Sequence, residues 1–137
     1  MYQSETQIRV RYAETDQMGY VYYGNYAMYY EVARVESLRN LGFSYKALEE
    51  MGIMMPVLEN KSKYVLPGKY DELLTIKVNI PKFPGVRIIF NYDIFNERDQ
   101  LINQGETILA FVDMKSGRPC RPPEVMQSLL KPYFSEG

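Results

Sequence analysis

The chain has 137 residues, of which 46% are hydrophobic and 24% charged, and this composition predicts a single globular domain over residues 1–137. Sixteen basic and 17 acidic residues leave a net charge of −1, so no general electrostatic attraction to nucleic acid is expected. No apolar run is long enough to cross a membrane, and the N-terminus resembles no signal segment. The single cysteine, Cys120, excludes an internal disulfide and favours a cytoplasmic location.

The chain contains no histidine. This absence excludes serine–histidine–aspartate and cysteine–histidine catalysis, and also histidine-rich zinc sites. Acid–base or nucleophilic chemistry near neutral pH would therefore depend on aspartate, glutamate, tyrosine or lysine.

The first predicted element is a half-buried strand over residues 6–12. Ile8, Val10 and Tyr12 alternate with polar residues and would share its buried face. The pattern breaks at residues 16–19, where the chain is expected to turn.

A long helix is predicted next, with Asn25 as its N-cap, Leu41 near its end and Gly42 as its C-terminal cap. Because nearly all of its positions are apolar, we expect the helix to be buried on most sides. Glu31 and Arg34 are predicted to pair on the remaining polar strip, as are Glu36 and Arg39.

A second, short helix is expected between Ser44 and Gly52. Strands are predicted over residues 57–66, 73–80, 86–95 and 101–113, and a short amphipathic helix follows Pro122 and Pro123. Consecutive strands joined by short turns favour an antiparallel sheet, which would have to curve around the apolar helix. The predicted fold class is therefore α+β, with a five-stranded antiparallel sheet wrapped around one long central helix. Its open sheet edges favour self-association.

The break before the long helix carries the candidate chemistry. Asp16 comes shortly before a helix N-terminus, whose free N–H groups and positive dipole end can hold developing negative charge. Alternatively, Asp16 is only a turn residue whose side chain bonds to its own backbone. Judged on this segment alone, the turn interpretation is the better supported.

Three blocks in this region have a recognisable pattern: Tyr-x-x-Thr-Asp-x-x-Gly at residues 12–19, Val-Tyr-Tyr-Gly-Asn-Tyr at residues 21–26, and Glu-x-Ala-Arg-x-Glu at residues 31–36. Later matches are Pro-x-x-Tyr-Asp-x-Leu at residues 67–73 and Asp-x-x-x-Gly-Arg-Pro at residues 113–119. With these blocks, the sequence resembles the hotdog-fold acyl-CoA thioesterases of the 4-hydroxybenzoyl-CoA thioesterase/YbgC-like family.

The resemblance implies that Asp16 attacks a thioester carbonyl, or activates a water that does so. It also implies that the carbonyl oxygen points at the N–H groups of Tyr23 and Gly24. Tyr23 stands where the family often has histidine, so its expected contribution is the backbone N–H. The implied substrate is an acyl-CoA or an acyl-carrier-protein thioester, the implied cofactor requirement is none, and the implied assembly is a homodimer or homotetramer.

Further substrate contacts are expected at Gly19, Val21, Tyr22, Asn25, Glu31, Glu59, Lys82 and Arg87. Because sites in this family form between two subunits, Glu59 or the Pro67 loop could come from a partner chain. Lys82 and Arg87 stand at predicted strand ends, where they could contact coenzyme A phosphates or remain ordinary surface charges. Glu31 is more often a partner of Arg34 than a substrate contact.

Two other classes of protein remain open. A non-catalytic acyl-thioester binding protein of the same fold would have no need of a carboxylate beside a thioester, and Asp16 argues against it. A hotdog hydratase or dehydratase would rely on a histidine, which this chain lacks.

Overall fold

The computed structural model describes residues 1–134, so the last three residues of the predicted domain lie outside the described part. The strands are β1 Tyr2–Arg9, β2 Ile53–Met54, β3 Val57–Tyr64, β4 Leu73–Ile80, β5 Arg87–Phe95, β6 Leu101–Ala110 and β7 Val112–Asp113. The helices are α1 Tyr26–Leu41, α2 Tyr45–Glu50 and α3 Glu124–Leu130, with short 3₁₀ turns at Tyr12–Glu14, Tyr23–Asn25 and Lys131–Tyr133. Among these helices of the described region, none has the length and hydrophobicity that a bilayer span requires.

Five strands form one antiparallel sheet in the order β1-β4-β5-β6-β3, which confirms the predicted α+β class. The short strands β2 and β7 form a separate antiparallel ribbon. β1 and β3 are the two edge strands, and β3 is exposed along nearly all of its length. Of the two edge strands, β3 is thus the more exposed.

The prediction for the first strand was wrong at its C-terminal end. β1 stops at Arg9, and Tyr12 is 78% exposed instead of lying on the buried face. The cause is Glu14, whose side chain accepts hydrogen bonds from the N–H and Nε of Arg11 and folds residues 12–14 into a 3₁₀ turn. This local contact outweighs the alternating pattern.

Helix α1 packs on one face of the sheet through positions that recur every three or four residues. Ala27, Met28 and Glu31 are exposed, so α1 is covered on one side and not on most sides as predicted. Its end is as predicted: Gly42 has a φ of 102°, in the left-handed region, and the N–H of Phe43 donates to the Leu38 carbonyl.

The predicted pairing of Glu31 with Arg34 was also wrong. Arg34 is only 5% exposed and donates to the Tyr92 hydroxyl at 3.0 Å and to the Thr107 hydroxyl at 3.4 Å. Glu31 is exposed at the solvent-facing border of α1, whereas the Arg34 side chain is directed into the core, so the two charges do not pair. The second predicted pair, Glu36 with Arg39, forms.

Tyr30 links α1 to the middle of β6. Its ring stacks on Tyr92 with centroids 4.3 Å apart, and its hydroxyl lies 2.9 Å from the Ser62 Oγ. A Cβ at Gly105 would lie 2.6 Å from Tyr30 Cε2, closer than real Cβ contacts. The ring can therefore pack here only because residue 105 has no side chain.

We predict that Gly105→Ala lowers the free energy of unfolding by about 1–3 kcal/mol, the usual cost of overpacking a core. The matched control is Gly85→Ala, because a Cβ at that position meets no atom within 4 Å. Urea unfolding of the two variants measures the difference. Equal stability of both variants would show that the Tyr30 contact does not require glycine.

Candidate active site

A pocket of about 480 Å³ opens between the start of α1 and the end of β3. Its walls are mainly aromatic and aliphatic, with one carboxylate: Asp16, Tyr20, Val21, Tyr22, Tyr23, Tyr26, Tyr64, Val65, Leu66 and Pro67. An apolar pocket with few, well-placed polar groups is typical of small-molecule sites. The pocket thus brings together four of the predicted site residues, Asp16, Val21, Tyr22 and Tyr23.

The tyrosine rings on one side of the pocket contact one another. Tyr22 and Tyr23 have ring centroids 4.8 Å apart, and Tyr64 meets Tyr23 edge-on at 6.4 Å and Tyr26 at 5.6 Å. Burial raises the pKa of Tyr26, which keeps its hydroxyl protonated. The rings form a continuous aromatic wall that joins α1 to the edge strand β3.

Asp16 is held in a tight turn at the rim of the pocket. Its N–H donates to the Tyr20 carbonyl at 2.8 Å, and its Oδ1 accepts from the N–H groups of Met18 at 2.9 Å and Tyr20 at 3.2 Å. Gly19 closes this turn with a φ of 77°, which favours glycine. Oδ1 therefore has the turn role considered as the alternative, whereas Oδ2 has no hydrogen-bond donor among the described residues.

Where the 3₁₀ turn Tyr23–Asn25 runs into α1, two backbone donors lack an acceptor in the described part of the chain. The flanking groups are paired: the Tyr22 N–H donates to the Glu14 carbonyl at 2.9 Å, and the Asn25 N–H donates to the Tyr22 carbonyl at 2.9 Å. Within residues 1–134, the N–H groups of Tyr23 and Gly24 have no acceptor. Unpaired N–H groups at a helix start are a binding site for negative charge.

Gly24 lets the ring of Tyr22, which lines the pocket, lie close to the backbone. A Cβ there would lie 2.9 Å from Cε2 of Tyr22, so a side chain would push that ring out of place. Glycine at position 24 thus allows a pocket-lining ring and a free N–H group to lie side by side.

Asn25 does not cap α1 with its side chain as predicted. Its backbone is already helical, at φ −81° and ψ −13°, because the 3₁₀ turn leads directly into the helix. The side-chain Nδ2 instead donates to the Glu14 carbonyl at 2.8 Å. Asn25 therefore joins the helix entry to the segment before Asp16.

Glu14 is a buried carboxylate that sequence reasoning did not single out. It is 6% exposed; Oε1 accepts from the Arg11 N–H at 3.0 Å and the Tyr29 hydroxyl at 2.8 Å, and Oε2 pairs with Arg11 Nη2 at 2.7 Å. Burial acts to raise the pKa of Glu14, but the Arg11 and Tyr29 hydrogen bonds outweigh it and lower that pKa. The spacing of three residues between Arg11 and Glu14 is the sequence signal that could have predicted this pairing.

The other predicted contacts do not lie at the pocket within one chain. Glu31 is exposed on α1 and is not among the described pocket-lining residues. Glu59 and Tyr64 are about 17 Å apart along β3, and Arg87 and Phe95 about 27 Å apart along β5, at a rise of ~3.4 Å per residue. Arg87 and the nearby Lys82 stand at the end of the sheet away from Asp16.

The loop after β3 belongs to the pocket of its own chain. The sequence leaves open whether a partner chain supplies Pro67. The Val21 N–H donates to the Gly68 carbonyl at 2.8 Å, and the Tyr70 N–H donates to the Gly19 carbonyl at 2.9 Å. These bonds dock the loop on the turn that carries Asp16.

Comparison with known proteins gives consistent results. The profile of the thioesterase-like superfamily matches residues 10–130. YneP of Bacillus subtilis is 35% identical over 119 residues, covering 87% of this chain and 86% of YneP. The acyl-CoA thioester hydrolase YbgC of Escherichia coli O157:H7 is 32% identical over 117 residues, covering 85% and 87%. The structure of DHNA-CoA thioesterase from Staphylococcus aureus superimposes with a TM-score of 0.84 at 38% identity, covering 98% of this chain and 85% of that one.

Proposed function

The chain belongs to the thioesterase-like superfamily and is a thioester hydrolase, and we propose that it hydrolyses acyl-CoA in the pocket beside Asp16. The relatives support the reaction class, since YbgC is an acyl-CoA thioester hydrolase and the Staphylococcus aureus protein a DHNA-CoA thioesterase. The observation that carries the proposal is an apolar pocket lined by Asp16 and Tyr23, where, among the described residues, Asp16 Oδ2 has no donor and the adjacent N–H groups of Tyr23 and Gly24 have no acceptor.

In the proposed mechanism, the thioester carbonyl oxygen accepts hydrogen bonds from the N–H groups of Tyr23 and Gly24. These bonds stabilise the negative charge that grows on this oxygen during attack, and one such donor is typically worth about 3 kcal/mol. The tyrosine side chain at position 23 is not needed for this step, because the donor is the backbone.

Asp16 then acts in one of two ways. As a nucleophile, Oδ2 forms a bond to the carbonyl carbon, the carbon–sulfur bond breaks and the sulfur leaves as a thiolate. Water then hydrolyses the resulting anhydride, which restores the Asp16 carboxylate, and the proton released from that water goes to the thiolate. As a general base, Oδ2 takes the proton of a water that attacks the same carbon, the carbon–sulfur bond breaks, and Asp16 passes the proton to the leaving thiolate. Both routes give a free carboxylic acid and a free thiol, and both need the unbonded oxygen of Asp16.

The acyl group would lie against the aromatic wall of the pocket. The rings of Tyr22, Tyr23 and Tyr64 offer flat apolar surfaces next to the proposed carbonyl site. Burying acyl carbons against these rings would supply binding energy without a charged contact.

A second copy of the chain would complete the site. β3 is a free sheet edge, and Val57, Leu58 and Tyr64 on it are each about half exposed, at 50%, 48% and 53%. Such an edge is rarely left open in a folded protein. We propose a homodimer or homotetramer in which Glu59, Lys82 and Arg87 of one subunit serve the pocket of another.

The alternative is a non-catalytic acyl-thioester binding protein. It would explain the apolar pocket equally well but gives no reason for a carboxylate with a free oxygen beside two free N–H groups. The hydrolase is therefore the better supported function.

Asp16→Asn tests the proposed chemistry directly. Asparagine keeps the volume and the turn bonds of Oδ1 but removes the charge and the reactive oxygen. We expect kcat to fall by at least about 10², with fold and oligomeric state unchanged. The matched control is Asp99→Asn, in another turn, where asparagine also tolerates the left-handed φ of 58°. Near-normal turnover by Asp16→Asn would contradict the mechanism.

Light scattering tests the proposed assembly. A single chain has a mass of 16.1 kDa. We expect at least twice this mass at micromolar concentration, because the β3 edge and its apolar side chains need a partner. A monomeric mass would contradict both the assembly and the shared site.

Neutralising Lys82 and Arg87 together tests the proposed phosphate contacts. KM for acyl-CoA should rise about tenfold or more, while KM for acyl-N-acetylcysteamine, which has no phosphates, should not change. Neutralising Lys77 and Arg39 together is the control, since it removes the same net charge elsewhere. Equal losses on both substrates would instead indicate a structural role for Lys82 and Arg87.

A further inference from the structure

Glu14 bonds to two parts of the candidate site at once. Its carboxylate is tied to α1 through the Tyr29 hydroxyl at 2.8 Å, and to the preceding segment through Arg11. Burial and the bond to Glu14 raise the pKa of Tyr29, so its hydroxyl remains a protonated donor. A buried carboxylate is stable only while such donors satisfy it, so its place relative to α1 is fixed.

The backbone carbonyl of the same residue holds the segment that carries the free N–H groups. It accepts from the Tyr22 N–H at 2.9 Å and from Asn25 Nδ2 at 2.8 Å, which uses both of its lone pairs. These donors stand immediately before and after Tyr23 and Gly24. The Glu14 carbonyl is thus hydrogen-bonded on both sides of Tyr23 and Gly24, the two residues whose N–H groups lack an acceptor among the described residues.

Asp16 follows Glu14 by two residues and is joined to the same segment. Thr15 pairs with Val21 in an isolated bridge, and the Asp16 N–H donates to the Tyr20 carbonyl. The chain between Glu14 and Tyr22 is therefore a closed loop. Its two ends meet at the Glu14 carbonyl, and Asp16 lies on it.

We propose that Glu14, held by Tyr29 and Asn25, is a positioning residue that sets the place of Asp16 relative to the N–H groups of Tyr23 and Gly24. The inference rests on the proposed function, because it assigns Glu14 to that same site. Glu14 itself is buried and is not among the described pocket-lining residues, so it acts through Asp16 and the turn. Catalytic groups must be held within about 0.5 Å of their working geometry, and a misplacement of ~1 Å can cost 10² in rate.

Tyr29→Phe tests the proposal with the smallest change, because it removes one hydroxyl and leaves the ring in the core. We expect kcat to fall roughly tenfold to a hundredfold while KM stays within about twofold. The matched control is Tyr2→Phe, which removes another buried hydroxyl, bonded to the Ser37 carbonyl at 2.6 Å at the far end of the sheet. Tyr2→Phe should lower the thermal midpoint to a similar extent and leave kcat unchanged.

Two further variants separate positioning from general damage. Asn25→Ala removes the hydrogen bond to the Glu14 carbonyl at a residue that is less buried than Tyr29. This variant should lower kcat, and it tests the proposal even if Tyr29→Phe does not fold. In an Asp16→Asn background, Tyr29→Phe should lower the residual kcat by no more than about twofold, because Asp16 and Glu14 would act as one unit.

The outcomes distinguish this proposal from the proposed function. Wild-type kcat in both Tyr29→Phe and Asn25→Ala, with Asp16→Asn inactive, overturns the positioning role alone. Equal kcat losses from Tyr29→Phe and Tyr2→Phe also overturn it, since the effect would then follow stability. Normal turnover by Asp16→Asn overturns the proposed function and, with it, this inference.

Discussion

The hydrogen bonds around Glu14 are the constraint on which the pocket depends. This carboxylate lies at the end of the 3₁₀ turn that follows β1, and its burial is possible because Arg11 and Tyr29 donate hydrogen bonds to it. These bonds stabilise the turn at residues 12–14. Without them, the loop that carries Asp16 would not be fixed next to the start of α1. The geometry of the pocket thus follows from one buried charge with well-placed donors.

Much of the fold could be predicted because it depends on local signals. The antiparallel strands follow from alternation and short turns, and the end of α1 follows from Gly42 in a left-handed conformation. The predictions that were wrong concern Tyr12, Asn25 and Arg34. In each case the side chain is placed by a contact distant in sequence or by a change in backbone conformation. Arg34 turns to Tyr92 and Thr107 across the core, a contact that no helical spacing can predict.

Part of the candidate site could also be predicted, because that part depends on local sequence. Asp16, Val21, Tyr22 and Tyr23 are close in sequence, so one local segment brings them to one pocket. Tyr64 and the loop after β3 join them only through the sheet topology, and Lys82 and Arg87 are carried to the opposite end by β4 and β5. A single chain therefore holds the proposed reactive groups at one end of its sheet and these cations at the other, so the proposed contact between them requires a second subunit.

The release of free thiol from a panel of acyl-CoAs is the most direct measurement of the proposed activity. The wild-type protein should liberate coenzyme A from at least one member of the panel with ordinary enzyme turnover, and Asp16→Asn should not. A binding protein would retain acyl-CoA without releasing thiol, and a hydratase would change the acyl chain while the thioester stays intact. Tight acyl-CoA binding with no thiol released would contradict the hydrolase and leave the pocket as a binding site.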